Sequence, residues 1–282
     1  QGDVNNWRGA AQEARTFAEE TGNAPWWTNS MFSGMPTYQI TGSTTSMKWR
    51  KTLETISHFG FTGNMEATGI IFAYFFGFFL MLLCFGVNPW LSMAGALAIG
   101  FSSYFFLIIP AGHLTKACAL ASLAPMIGGF YAIFRKRYWL GAPLFVIYGI
   151  IGFTLHPQMT YYIGMMLGVL ACAELYLHIR EKAWKDLGIS LAVLLGCALL
   201  VLGTKASWMQ MNRSYLKETM RGGHSELVET NAADKSNAKA GLDLEYATAW
   251  SYGIGETMTL LIPNWEGGAS GYNIGSDSEL CE

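Results

Sequence analysis

Charged side chains are scarce in this chain. Asp, Glu, Lys and Arg make up 13% of its 282 residues, whereas they make up about a quarter of an average soluble domain. The formal net charge is −2, so the chain has no surplus of Lys and Arg for a phosphate backbone. We therefore expect no nucleic-acid partner, and an ordinary soluble domain is a poor interpretation of this composition.

Several common catalytic and binding motifs are also missing. The sequence has no P-loop, no dinucleotide-binding fingerprint, no nucleophile elbow and no zinc signature. None of its five cysteines forms a Cys-x-x-Cys pair, and four of them lie within apolar segments. We interpret these four as small buried residues rather than as metal ligands or disulfides. Nucleotide-driven transport and hydrolase chemistry therefore have little support.

Long apolar segments fill the middle of the chain. Each of six segments approaches or reaches the roughly 20 residues that a helix needs to cross about 30 Å of hydrocarbon. The first four contain no charged residue, and the fifth carries Glu174 and His178 near one end. The predicted fold is an all-α polytopic membrane protein with a six-helix transmembrane domain over 67–206. Its spans are 67–87, 89–110, 117–134, 138–155, 159–179 and 187–206.

The short loops predict an orientation. The loops 135–137 and 180–185 are basic and lie on one side of the membrane if the six spans alternate, whereas the opposite loops hold only Lys116. The positive-inside rule assigns the two basic loops to the cytoplasm. The flanks 1–66 and 207–282 are then both extracytoplasmic, and we expect a further membrane helix before residue 1.

The extracytoplasmic flanks also carry helical patterns. We predict an amphipathic helix from Asn5 to Thr21, capped by Asp3 or Asn5, and an interfacial helix from Ser46 to Phe59. Two further helices are predicted at 208–219 and 242–261.

Polar side chains converge on the side of these flanks. A group of acids, imidazoles and cations at one mouth of a helical bundle indicates a site. Each member also has an ordinary structural explanation, such as helix capping for Asp3, headgroup contact for Lys116, or an interfacial ring for Tyr161. Glu174 and His178, four residues apart, could hold a metal or form a helix-surface pair. The candidate residues are Asp3, His113, Lys116, His156, Gln158, Tyr161, Arg221, His224 and Glu226.

Several short stretches resemble one family. They are Gly2-Asp3, Pro25-Trp26-Trp27, Phe32-Ser33-Gly34-Met35-Pro36, His156-Pro157-Gln158 and Arg221-Gly222-Gly223-His224-Ser225-Glu226-Leu227. Together they resemble bacterial YfhO-like membrane proteins of the GT-C glycosyltransferase superfamily. The resemblance implies a multi-pass protein of the bacterial cytoplasmic membrane with a GT-C-like fold.

The resemblance also implies a reaction. A sugar would pass from a polyprenyl-phosphate donor to an extracytoplasmic glycan, lipid or polymer, with inversion at the anomeric carbon and Asp3 as the base. His113, Lys116, Arg221 and His224 would bind the donor phosphate, and a divalent cation is compatible with that chemistry. Contacts to sugar or acceptor would come from His156, Gln158, Tyr161 and Glu226.

Two other functions stay open at this point. A transporter or lipid flippase would need polar or broken helices within the membrane, and Ser102, Ser103 and Pro125 are the residues that allow one. A non-catalytic membrane subunit would use its external residues only for packing and partner contact.

Overall fold

The computed structural model describes residues 2–40 and 67–216, together with 248–249, 251, 253–262 and 265. The predicted interfacial helix at 46–59 lies outside these residues. Most of the described chain is helical. The α-helices are α1 (Gly2–Ala10), α2 (Gln12–Thr21), α3 (Ala67–Cys84), α4 (Pro89–Gly100), α5 (Ser103–Ile108), α6 (Leu114–Ala121), α7 (Leu123–Phe134), α8 (Tyr138–Leu155), α9 (Pro157–Arg180), α10 (Trp184–Gly203) and α11 (Ala206–Leu216).

The described part of the chain contains four helical stretches that are long and apolar enough to cross a membrane. They are Ala67–Cys84, Leu114–Phe134, Gln158–Arg180 and Trp184–Gly203. Two shorter apolar helical stretches, Pro89–Gly100 and Tyr138–Phe153, accompany them. The chain is therefore an all-α membrane protein, whereas the six spans and the GT-C arrangement stay predictions.

The second predicted span, 89–110, is wrong as a single helix. Helix α4 ends at Gly100, and α5 begins at Ser103 after Ser102 adopts an extended backbone with φ −63° and ψ 143°. The hydroxyl of Ser103 donates to the carbonyl oxygen of Thr259 at 2.9 Å. Hydropathy alone does not reveal this break, because serine is tolerated inside apolar helices and its partner lies 156 residues away.

The N-terminal flank forms two helices where one was predicted. Helix α1 already includes Asp3 and Asn5, so neither residue stands ahead of the helix as the predicted cap. Helix α2 ends at Thr21, followed by Gly22 in the left-handed conformation with φ 72°. That glycine confirms the predicted stop, because the left-handed cap suits a residue without a Cβ.

A small hairpin follows α2. Strand β1 (Trp27–Thr28) pairs with β2 (Met35–Pro36), and a 3₁₀ segment (Thr37–Gln39) comes next. Gly34 has φ 123°, and a methyl group there would lie 2.7 Å from the indole of Trp27. The hairpin therefore joins the Pro25-Trp26-Trp27 stretch to the Phe32–Pro36 stretch.

Helices α7 and α8 form the tightest contact of the bundle. A methyl group on Gly141 would lie 2.7 Å from the carbonyl oxygen of Gly129. The two backbones therefore meet closely, as small residues permit between membrane helices. Phe130, Ile133 and Ile151 belong to the core cluster beside this contact.

The cysteines follow the prediction only in part. Cys84 and Cys197 are buried, and Cys118 is partly buried, whereas Cys172 is exposed on α9. The prediction of a buried thiol is thus wrong for Cys172, because α9 turns much of its apolar surface outward. All four are free thiols.

The described part of the C-terminal flank contains one α-helix and one 3₁₀ segment. The predicted helix at 208–219 is confirmed by α11 as far as Leu216. The predicted helix at 242–261 is wrong at Gly255–Leu260, which is a 3₁₀ segment in which Glu256 accepts a 2.7 Å bond from the Gly253 N–H. The rings of Tyr38 and Tyr215 meet edge to face, 6.2 Å apart.

Candidate functional site

We use the name His156 end for the part of the bundle formed by His113, Lys116, His156 and the first turn of α9. His156 is the single residue between α8 and α9, and Pro157 begins α9. Because proline disfavours helical backbone in the residue before it, His156 is extended, with φ −149° and ψ 93°. Lys116 stands in the first turn of α6, which starts directly after His113.

The His156 end gathers groups that carry or can carry positive charge. Burial lowers the pKa of His156, and the nearby charges of Lys116 and His113 lower it further. The Nδ1 atom of His156 is buried and has no hydrogen-bond partner among the described residues. Buried polar atoms are nearly always paired, so an unpaired one needs an explanation such as a ligand or an ordered water.

Gln158 and Tyr161 follow His156 on the first turn of α9. The amide of Gln158 donates to the hydroxyl of Tyr162 at 2.8 Å, and Tyr161 is 66% exposed. Both side chains lie at the surface beside the cluster, where they can contact a ligand without rearrangement of the core.

The structure thus brings His113, Lys116 and His156 together, with Gln158 and Tyr161 following His156 at the start of α9, and says less about the other four. Asp3 lies on α1, which packs against α2, and its side chain lies outside the described part of the chain. Arg221, His224 and Glu226 also lie outside the described residues. Their roles stay predictions.

The opposite end of the bundle holds a partly buried ion pair. We use the name Arg135 end for the turns 135–137 and 181–183 together with Glu174, His178 and Asp186. Arg135 donates two hydrogen bonds to the carboxylate of Glu174, at 2.8 and 2.9 Å. The Glu174 side chain is 9% exposed, and the Nδ1–H of His178 donates to the Glu174 carbonyl oxygen at 2.8 Å.

The prediction that Glu174 and His178 form a pair at the helix surface is wrong. Glu174 and His178 are buried at 7% and 6% exposure, because Arg135 supplies the counter-charge that lets the carboxylate leave water. Among the described residues, no three His, Cys, Asp or Glu side chains are arranged to hold a metal ion. The divalent cation stays a prediction for the rest of the chain.

A second ion pair and a cavity complete the Arg135 end. Lys136 contacts Asp186 at 2.6 Å, and that carboxylate raises the pKa of Lys136. Beside them an open cavity of about 350 Å³ lies between the ends of α7 and α9 and the start of α10. Its lining includes Arg135, Lys136, His178, Glu181 and Asp186.

Sequence reasoning missed the Arg135–Glu174 pair although the signal was present. An ionisable residue inside an apolar segment calls for a named partner. The loop argument uses Arg135 only to assign the orientation of the spans. The two residues are 39 positions apart in the sequence, so no local pattern indicates their contact.

Comparison with family models, with curated proteins and with solved structures finds no match for this chain. Function must therefore be argued from its residues and geometry.

Proposed function

We propose that this chain is a membrane glycosyltransferase of the GT-C type that binds a polyprenyl-phosphate sugar at the His156 end. The observation that carries this proposal is the buried, unpartnered Nδ1 of His156 beside Lys116 and His113. A phosphate would supply oxygen acceptors to an N–H of His156 and would attract both neighbouring charges. The resemblance of the chain to YfhO-like proteins supplies the reaction class.

In this proposal the chemistry is an inverting displacement. Asp3 takes the proton of the acceptor hydroxyl, and the hydroxyl oxygen forms a bond to the anomeric carbon. The bond from that carbon to the phosphate oxygen breaks, and its electron pair leaves with polyprenyl phosphate. Lys116 and His113, joined by Arg221 and His224, stabilise the developing negative charge on the leaving group.

The remaining candidates would hold the two substrates. Gln158, Tyr161 and Glu226 would contact the sugar or the acceptor, which is a glycan, lipid or polymer. The exposed ring of Tyr161 suits the apolar face of a sugar.

The proposed location is a bacterial cytoplasmic membrane with the His156 end outside. Two observations support this orientation. The basic turns 135–137 and 181–183 lie at the opposite end, as the positive-inside rule requires of cytoplasmic loops. The Tyr38–Tyr215 contact joins the two flanks to each other, and the Ser103–Thr259 bond joins the C-terminal flank to the start of α5, which is compatible with both flanks on one side.

Binding of polyprenyl phosphate to the purified full-length protein tests the proposal. Lys116→Met keeps an unbranched apolar side chain and removes the charge. Since a hydrogen bond to a charged group contributes about 1.5–3 kcal/mol, we expect a loss of affinity of roughly 10- to 100-fold. Arg213→Met, on an exposed position of α11, is the matched control and should bind as the wild type does. Equal binding by both variants would remove the phosphate site.

Asp3→Asn separates binding from chemistry. If Asp3 is the base, this variant binds polyprenyl phosphate normally but forms no glycoside product from a lipid-linked sugar. Normal product formation by Asp3→Asn would reject the base assignment and leave the phosphate site intact.

A second candidate function is translocation of a lipid-linked sugar. The break between α4 and α5 favours it, because transporters use discontinuous helices at their binding sites. Translocation of a fluorescent lipid-linked sugar in vesicles, undiminished in Asp3→Asn, would favour this function over the transferase.

A further inference from the structure

Three helices of the bundle end in the same tight turn at the Arg135 end. After α3 the N–H groups of Gly86 and Val87 donate to Leu83 and Leu82, and the same 5→2 and 6→1 pattern closes α7 and α9. This is the Schellman motif, whose left-handed position is usually glycine. Here that position is Gly86, Lys136 and Lys182, with φ values of 82°, 62° and 55°.

A tryptophan follows each of these turns. Trp90, Trp139 and Trp184 occupy the first or second position of the next helix and are 77%, 96% and 60% exposed. Exposed indoles at one level of a membrane protein mark the interface between hydrocarbon and headgroups. The three turns therefore lie at headgroup depth.

The cations of the turn after α7 are engaged within the protein. Arg135 is bound by Glu174, Lys136 by Asp186, and the guanidinium of Arg137 donates to the carbonyl oxygen of Cys84 at 3.5 Å. Two of its three cations are therefore paired with carboxylates.

The cations of the turn after α9 are not engaged in this way. Arg180, Lys182 and Lys185 are exposed, and none forms an ion pair with a carboxylate in the described part of the chain. Glu181 is the one acid between them, and Asp186 is taken by Lys136. Lys182 occupies the left-handed position at which glycine costs less.

We infer that the turn after α9, with Arg180, Lys182, Trp184 and Lys185, binds the headgroups of anionic phospholipids. The three free cations would contact phosphate oxygens, while the indole of Trp184 packs at the boundary with the acyl chains. This site is separate from the proposed phosphate site, which lies at the other end of the bundle. Anionic lipid would then anchor the α9–α10 hairpin at a fixed depth.

Lipid retention by the purified full-length protein tests this inference. The protein is exchanged into mixtures of phosphatidylglycerol and phosphatidylcholine, and the retained lipids are counted by native mass spectrometry. Each surface cation near anionic lipid contributes about 1 kcal/mol, or about fivefold in affinity. Arg180→Gln/Lys182→Gly/Lys185→Gln should therefore lose the preference for phosphatidylglycerol by on the order of 100-fold.

Two variants separate charge from folding. Lys182→Gly removes one charge and places the preferred residue at a left-handed position, so we expect about fivefold weaker phosphatidylglycerol binding with no loss of Tm. The matched control Arg8→Gln/Arg213→Gln removes two exposed charges elsewhere and should bind lipid as the wild type does. Lipid retention by the triple variant equal to that of the wild type would overturn the inference. Displacement of the lipid by millimolar glycerol phosphate would also overturn it, because the site would then bind a soluble anion.

Discussion

The ion pairs of the Arg135 end and the cluster at the His156 end carry their charges in opposite ways. At the Arg135 end, Arg135 is matched by Glu174 and Lys136 by Asp186, at contact distances of 2.8 and 2.6 Å. At the His156 end, positive and potentially positive groups lie beside one another, and a buried imidazole nitrogen has no partner within the part of the chain that the structure describes.

The difference separates a structural role from a binding role. Matched charges in a buried setting hold helices together, since removal of either partner leaves a costly unpaired charge. Unmatched charges of one sign weaken the fold slightly and attract a ligand of the opposite sign. We therefore expect substitutions in the two ion pairs of the Arg135 end to change stability, and substitutions at the His156 end to change binding.

The largest effect on stability should come from Glu174→Gln. Breaking a buried ion pair costs about 3–5 kcal/mol, and we expect about 2–4 kcal/mol here because Arg135 keeps some contact with water. The Tm of the detergent-solubilised protein measures the loss. Lys136→Gln, which breaks the exposed pair with Asp186, should lower the Tm much less.

A double variant tests the cause of that loss. Arg135→Met/Glu174→Leu removes both charges and keeps apolar volume, so its stability should return to within about 1 kcal/mol of the wild type. A double variant as unstable as Glu174→Gln would show that packing, rather than the unpaired charge, is responsible.

A smaller loss of stability should follow from adding a methyl group at the close contact between α7 and α8. Gly141→Ala places a methyl group against the Gly129 carbonyl oxygen, and such overpacking costs about 1–3 kcal/mol. Gly168→Ala on α9 meets nothing within 4 Å, and it should keep or raise the Tm because alanine favours helix. Similar Tm values for the two variants would reject the close α7–α8 packing.

The sequence predicted the elements that depend on local composition. Apolar segments of span length correspond to α3, the α6–α7 stretch, α9 and α10, and Gly22 ends α2. Features that depend on contacts between residues distant in the sequence were not predicted. The break at Ser102 is linked to Thr259, and the burial of Glu174 depends on Arg135. Hydropathy describes one segment at a time, so neither contact was visible in it.

The candidate site was also predicted only in part. The reasoning from loops and spans grouped His113, Lys116 and His156 on one side, and the structure brings them within electrostatic reach of one another. The unpartnered Nδ1 of His156 could not be foreseen, because it depends on how closely α6, α8 and α9 surround the ring.

The pH dependence of stability should distinguish the His156 end. The pKa of His156 is lowered in the folded state, so the unfolded chain binds its proton more readily. The contribution of His156 is therefore complete above its unfolded pKa of about 6.5 and is lost as the pH falls below that value. The Tm of the wild type should fall more between pH 7.5 and 5 than that of His156→Gln.

Binding of phosphate should depend on pH in the opposite direction to stability. An anion stabilises the imidazolium, so the affinity of the wild type for polyprenyl phosphate should increase as the pH falls through the same range. An affinity that is independent of pH, or equal in His156→Gln, would show that the ring does not contact the anion.

The smallest effect should be local to the N-terminal flank. The carboxylate of Glu13 accepts hydrogen bonds from the buried hydroxyl of Thr28 and from the Ser30 N–H, and the bond from Thr28 lowers the pKa of Glu13. Glu13→Gln should speed proteolysis of the hairpin and leave the global Tm unchanged. Glu19→Gln, on an exposed position of the same helix, is the control and should be cleaved as slowly as the wild type.

The central claim is that the two ends face different compartments, with both flanks on the side of His156. Single cysteines in a background without native cysteines test it through a membrane-impermeant maleimide applied to intact cells. We predict labelling of Ala24→Cys and Ser251→Cys in intact cells, and labelling of Glu181→Cys only after permeabilisation. Labelling of Glu181→Cys in intact cells, or of only one of the two flanking positions, would contradict the account.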